Sequence, residues 1–166
     1  EVVAHGITTE RLADGDPLPS GLDRADLGRL GFEAKAGQVQ VVPSDGRLVA
    51  AVGLGVTDEL GTDGLRRAAA ALGRAARTRR SLATDLASGV ATTNELTEAD
   101  GVAAVVEGLT LALYRFGYRS ADDKGPVSDR LARVSLVGST AAGVKTSVER
   151  AEAVVGGVVL ARDLVN

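Results

Sequence analysis

His5 is the single histidine in the chain, and cysteine is absent. A zinc or manganese centre draws several ligands from His, Cys, Asp and Glu at compatible spacing, so neither a His-x-x-x-His pair nor a cysteine ribbon can form. A Ser-His-Asp triad is available in residue types alone, but no Gly-x-Ser-x-Gly elbow places a nucleophile. His5 therefore reads as a strand or surface residue whose only qualification is a near-neutral pKa. The acids Asp14, Asp16, Asp23, Asp26, Glu95, Glu98, Asp100, Asp122 and Asp123 fall in loops and first helical turns, where carboxylates are solvated or cap helices. None is framed as an acid/base dyad, and Asp122–Asp123 beside Lys124 and Gly125 reads as a turn. The expectation for catalytic, cofactor-binding and metal-ligating residues is none.

Two stretches could bind rather than react. In "VGLGVTDELG" (Val52–Gly61) a strand ending in Gly53-Leu54-Gly55 precedes a helix starting near Thr62, an arrangement that presents backbone N–H groups to a phosphate. Asp58 occupies the third glycine position of Gly-x-Gly-x-x-Gly, and Asp58 with Glu59 would repel an anion, so a tight turn is the favoured reading. The second stretch holds Arg66, Arg67, Arg74, Arg77, Arg79 and Arg80, with no acid between Asp63 and Asp85. Arginines near a helix C-terminus are favoured by its dipole, and their stems can cover apolar surface. The net charge of −3 and the lack of interleaved aromatics stand against nucleic acid, so DNA is not the expected partner.

The elements that would carry these residues alternate. "EVVAHGIT" (Glu1–Thr8) reads as a strand, followed by a loop-like stretch with Pro17, Pro19 and Gly21 and a short helix over Arg24–Leu30. Gln38–Val42 and Leu48–Leu54 flank "SDG" and predict a hairpin. Helix follows from Thr62, with Leu65, Ala69, Leu72 and Ala76 on one face, then a strand over Ser81–Leu86. Thr97 with Asp100 forms a capping-box analogue for the clearest helix, whose stripe is Val102, Val105, Val106, Leu109 and Leu113. A polar loop (Tyr118–Pro126), a strand (Leu131–Gly138) and a last helix from Val144 to Asn166 complete the order, with Val148, Ala151, Val155 and Val158 on one side of that helix. Strands alternating with helices imply an α/β sandwich with a mixed, mostly parallel sheet flanked by helices.

Composition narrows the class. A chain of 166 residues argues for one domain with an independent core, built from Val, Leu and Ala because aromatics are only 2%. No apolar run approaches membrane-spanning length and no signal peptide opens the chain, so no membrane partner is expected and a cytoplasmic address fits. Glu1 is an odd native start, and the last helix reaches Asn166 without Gly or Pro, which raises the expectation of a cut from a longer protein.

Several stretches together resemble one family. "FEAKAGQV" (Phe32–Val39), "LVAAVGLG" with "ELGTDGLRRAAAALGRAAR", "VEGLTLALYRFGYRS" (Val106–Ser120) and "GVVLARDLVN" (Gly157–Asn166) resemble, in order, the N-terminal domain of leucyl aminopeptidases, the cytosol aminopeptidases. The resemblance implies a three-layer, macro-domain-like sandwich forming a single accessory domain over 1–166, with the catalytic domain downstream. It places two divalent metals (manganese or zinc), their ligands and the peptide pocket in that absent domain, leaving none in this segment. It further implies a homo-hexamer with the N-terminal domains at its outer corners, supporting assembly and active-site access, and a parent that removes N-terminal residues such as leucine from peptides. Two alternatives stay open: a macro-domain-like module taking ADP-ribose at the Gly53–Gly55 loop, and a DNA-binding module using the Arg66–Arg80 cluster. Leu160, Leu164 and Val165 are the expected apolar contact residues for a neighbouring domain.

Overall fold

A turn at Asp45-Gly46 organises the sheet. Both residues have positive φ (47° and 73°), the conformation a two-residue type I′ hairpin requires and Asp-Gly favours. It joins β2 (Val39–Ser44) to β3 (Arg47–Gly55), with Ser44 opposite Arg47. The predicted hairpin is present, but β2 runs through Pro43 instead of stopping there. It lies at the sheet edge, where a residue without an N–H is tolerated. The computed structural model describes residues 1–19, 21–88, 96–114, 131–139 and 143–165.

Next to β3 lies β1 (Val2–Thr8), then β4 (Ser81–Thr84) and β5 (Arg133–Leu136), giving the order β2-β3-β1-β4-β5. All neighbours are parallel except β2 and β3, as the alternation of strands with helices implies. The two later strands are shorter than expected: β4 ends at Thr84 and β5 spans only four residues.

One sheet face packs on α3 (Thr62–Ala76) and α4 (Glu98–Leu113). The α3 stripe Leu65, Ala69, Leu72 and Ala76 is buried, as are Val102, Val105 and Leu109 of α4. Small residues bring these helices close: a Cβ on Gly108 would overlap the carbonyl oxygen of Arg66. Thr97 caps α4 with the full capping box, whereas the N-cap of α3 is Gly61, which brings no side-chain acceptor. α5 (Val144–Val165) packs on α4.

The opposite face is covered by α1 (Thr9–Ala13), α2 (Arg24–Arg29) and the segment 32–38. There Ile7 and Ala51 of the sheet meet Leu27, Phe32 and Ala34. The result is the expected three-layer α/β sandwich, with the third layer made of short pieces rather than long helices. Neither α1 nor the 3-10 turn at Thr57–Glu59 is legible in the hydrophobic pattern, because neither contains a buried residue. The loop expected over Tyr118–Pro126, with Asp122–Asp123, lies outside the described residues.

Candidate functional site

The end of β3 is the strongest anion-site candidate in the sequence, and its backbone groups are already engaged. Gly53 N–H donates to the carbonyl of Gln38 at 2.7 Å and Gly55 N–H to that of Ala34 at 2.9 Å. A Cβ on Gly53 would overlap the carbonyl oxygen of Lys35. These glycines let the segment 34–38 lie against the strand, a demand of close backbone approach and not of phosphate binding. Gln38 holds that segment from the side: its Oε1 accepts the Glu33 N–H at 2.9 Å and its Nε2 donates to the Gly31 carbonyl at 2.7 Å.

The turn beyond does receive an anion, from within the chain. Thr57 donates its backbone N–H and its hydroxyl to the Glu10 carboxylate, at 3.1 and 2.6 Å to Oε2. The hydroxyl above all, with the backbone bonds, lowers the Glu10 pKa to about 2. Thr9 adds a weak bond from its hydroxyl to the Gly55 carbonyl at 3.4 Å. An ADP-ribose phosphate at the Gly53–Gly55 loop would have to displace these contacts.

His5 has a partner that spacing alone does not reveal. Its Nδ1 lies 2.7 Å from Asp85 Oδ2, and Asp85 Oδ1 accepts the Gly6 N–H at 3.1 Å. The couple ties the middle of β1 to the residue after β4. It corresponds chemically to two members of a hydrolytic triad, but among the described residues no hydroxyl completes it. An open groove of about 380 Å³ touches His5, Ser44, Asp45 and Arg47, and a larger one of about 580 Å³ runs between α2 and β2 past Leu27, Leu30 and Pro43.

The carboxylates singled out in the sequence are dispersed. Asp23 caps α2 by accepting the Asp26 N–H at 2.9 Å, Asp26 pairs with Arg29, and Asp100 closes the α4 box. Asp14 provides the C-cap of α1, Asp16 contributes only its backbone carbonyl, to Arg24, and Glu98 lies in the first turn of α4. Glu95, Asp122 and Asp123 lie outside the described residues. Among the described residues no three of His, Asp and Glu stand together as a metal ion requires, and His5 with Asp85 offers only two donors. The donors among the described residues do not fit a metal pair.

The arginine cluster divides. Arg66 donates from Nε to Glu107 at 2.7 Å and pairs with Asp63 at 2.5 Å, which binds α3 to α4 and removes its charge from the surface group. Arg67, Arg74, Arg77, Arg79 and Arg80 are exposed. At the far end of α4, the Tyr114 hydroxyl donates to Asp163 at 2.5 Å and the Arg162 guanidinium lies 5.5 Å from the ring centre. The Asp163 bond raises the Tyr114 pKa. Leu160, Leu164 and Val165 are exposed, as expected for contact residues.

The topology alone does not fix a function, and among the described residues no reactive centre is assembled. The profile of the cytosol aminopeptidase family, N-terminal domain, matches residues 26–121. A probable cytosol aminopeptidase of Trichormus variabilis is 36% identical over 121 residues, covering 72% of this chain and 23% of that protein. Another, from Aromatoleum aromaticum, is 32% identical over 178 residues, covering 99% of this chain and 34% of its own length. The bottromycin maturation enzyme BotP in complex with Mn superposes with a TM-score of 0.75 at 36% identity, covering 99% of this chain and 31% of that one. A mutant of tomato leucine aminopeptidase shares the fold with a TM-score of 0.79 at 24% identity, covering 100% of this chain and 35% of that one. The chain belongs to the cytosol aminopeptidase family, to its N-terminal domain. It spans between about a quarter and a third of the length of the curated relatives it matches.

Proposed function

We propose that this chain is the non-catalytic N-terminal domain of a metal-dependent aminopeptidase that removes residues such as leucine from the N-termini of peptides. The reading rests above all on the match to the family's N-terminal domain, within relatives about three times as long. The aminopeptidase names of the relatives support the parent's activity, and the Mn complex of BotP supports a divalent metal for it. In this reading two divalent ions, manganese or zinc, sit in the following catalytic domain. The domain's work is structural: it packs on its own catalytic domain, supports a homo-hexamer and shapes access to the active site. The parent is cytoplasmic, and among the described residues no helix is long and apolar enough to cross a membrane.

The test compares two purified proteins on Leu-p-nitroanilide with Mn²⁺ or Zn²⁺. The product of the full reading frame should turn the substrate over, and the 166-residue chain should not. Metal-dependent turnover by the chain alone would refute the reading.

A further inference from the structure

Beyond the patch of sheet that Leu27 and Phe32 cover, the same face opens into the groove of about 380 Å³, a size that suits a small ligand. Its floor is Val3 and Val49, neighbours across β1 and β3. One wall is the backbone of Gly21, where a Cβ would overlap the Val49 side chain. The two ends differ in chemistry. At one, the exposed Arg47 has no ion-pair partner among the described residues, and Ser44, opposite it across the hairpin, adds a hydroxyl. Asp45 in the turn offsets that charge, so the groove does not gather anions in general. At the other end stands His5. The Asp85 carboxylate only accepts, so the proton of the neutral ring is on Nδ1. Nε2, without a partner among the described residues, is then an acceptor. His5 lies beside Ala51, and Arg47 is two side-chain positions back on the same face of β3, which sets the ends about 13 Å apart at the backbone.

We propose that this groove binds a short zwitterionic peptide laid along the sheet, its terminal carboxylate on Arg47 and Ser44 and its terminal ammonium donating to His5 Nε2. An extended tripeptide spans about 10 Å, which matches the separation of the ends once both side chains reach toward it. Small side chains rest on Val3 and Val49, and the ammonium gains from the Asp85 charge behind the imidazole. Asp85 is a positioning residue: through Nδ1 it fixes the tautomer that leaves Nε2 free to accept. A free amino acid is too short to meet both ends.

Because His5 is the single histidine, its imidazole signals in nuclear magnetic resonance report on the groove alone. The 166-residue chain serves for this, since both its cores close without further residues. Trialanine should shift the ring signals saturably, in the millimolar range. N-acetyl-trialanine, trialanine amide and Arg47→Ala should each weaken binding on the order of tenfold, and Arg47→Lys should recover part of the loss. Asp85→Asn should weaken it too and move the ring proton to Nε2, visible in the nitrogen shifts. The reason is that the Gly6 N–H keeps the side-chain oxygen and turns the amide nitrogen toward Nδ1. Ring signals unmoved by trialanine overturn the proposal. So does equal binding of trialanine, its capped forms and free alanine, or an Arg47→Ala chain that binds trialanine as well as wild type does.

Discussion

Glu10 supplies in cis the negative charge that the turn after β3 accepts. The N–H groups and the hydroxyl of that turn attract an anion, as its position after a strand implies, but the partner lies 47 residues away and only the folded chain brings it near. Because the folded pKa of about 2 lies below the usual 4.5, the contact contributes stability fully above pH 4.5 and loses it as pH falls towards 2. The melting temperature of wild type should therefore exceed that of Glu10→Gln at pH 7, with the gap closing between pH 4.5 and 2. A constant gap across that window would count against the contact. Asp85 is similarly hidden, 80 residues from His5, and becomes readable only once β1 and β4 are known to be neighbours. Asp85→Ala, which strands both His5 Nδ1 and the Gly6 N–H, should cost about 1–3 kcal/mol in denaturant unfolding. A change below about 0.5 kcal/mol would show the couple to be ornamental.

At the scale of elements, what the sequence makes legible is whatever depends on near neighbours. The Asp45-Gly46 turn, the Thr97–Asp100 box and the apolar stripes of α3 and α4 rest on spacings of a few residues, and each forms as expected. Where contacts from afar decide, the sequence is silent. The third layer is built from segments whose apolar residues, Leu27, Phe32 and Ala34, follow no helical or strand period. Gly53 and Gly55 read as turn residues by pattern, whereas they make room for the segment 34–38, which crosses over them. Gly53→Ala should thus destabilise the domain by about 2 kcal/mol or more, since the methyl would meet backbone and not a yielding side chain. A urea midpoint close to wild type would mean that the segment can withdraw at little cost.

For the molecule as a whole, a lone imidazole, no thiol and dispersed carboxylates are what the sequence offers for chemistry. Family membership is legible too, because stretches such as the one containing Tyr114 and the one around Asp163 sit in a recognisable order, and the fold joins these two by a hydrogen bond. The end of α5 is only half legible. Leu160 and Leu164 are exposed, as the sequence reading expects, whereas the contacts of Asp163 and Arg162 with Tyr114 appear only once the fold brings α4 and α5 together.

Hydrolysis of Leu-p-nitroanilide, with Mn²⁺ or Zn²⁺ supplied, tests the division of labour most directly. Turnover by the full-length protein and none by residues 1–166 is the expected result. Metal-dependent release of p-nitroaniline by the purified 166-residue chain would contradict it.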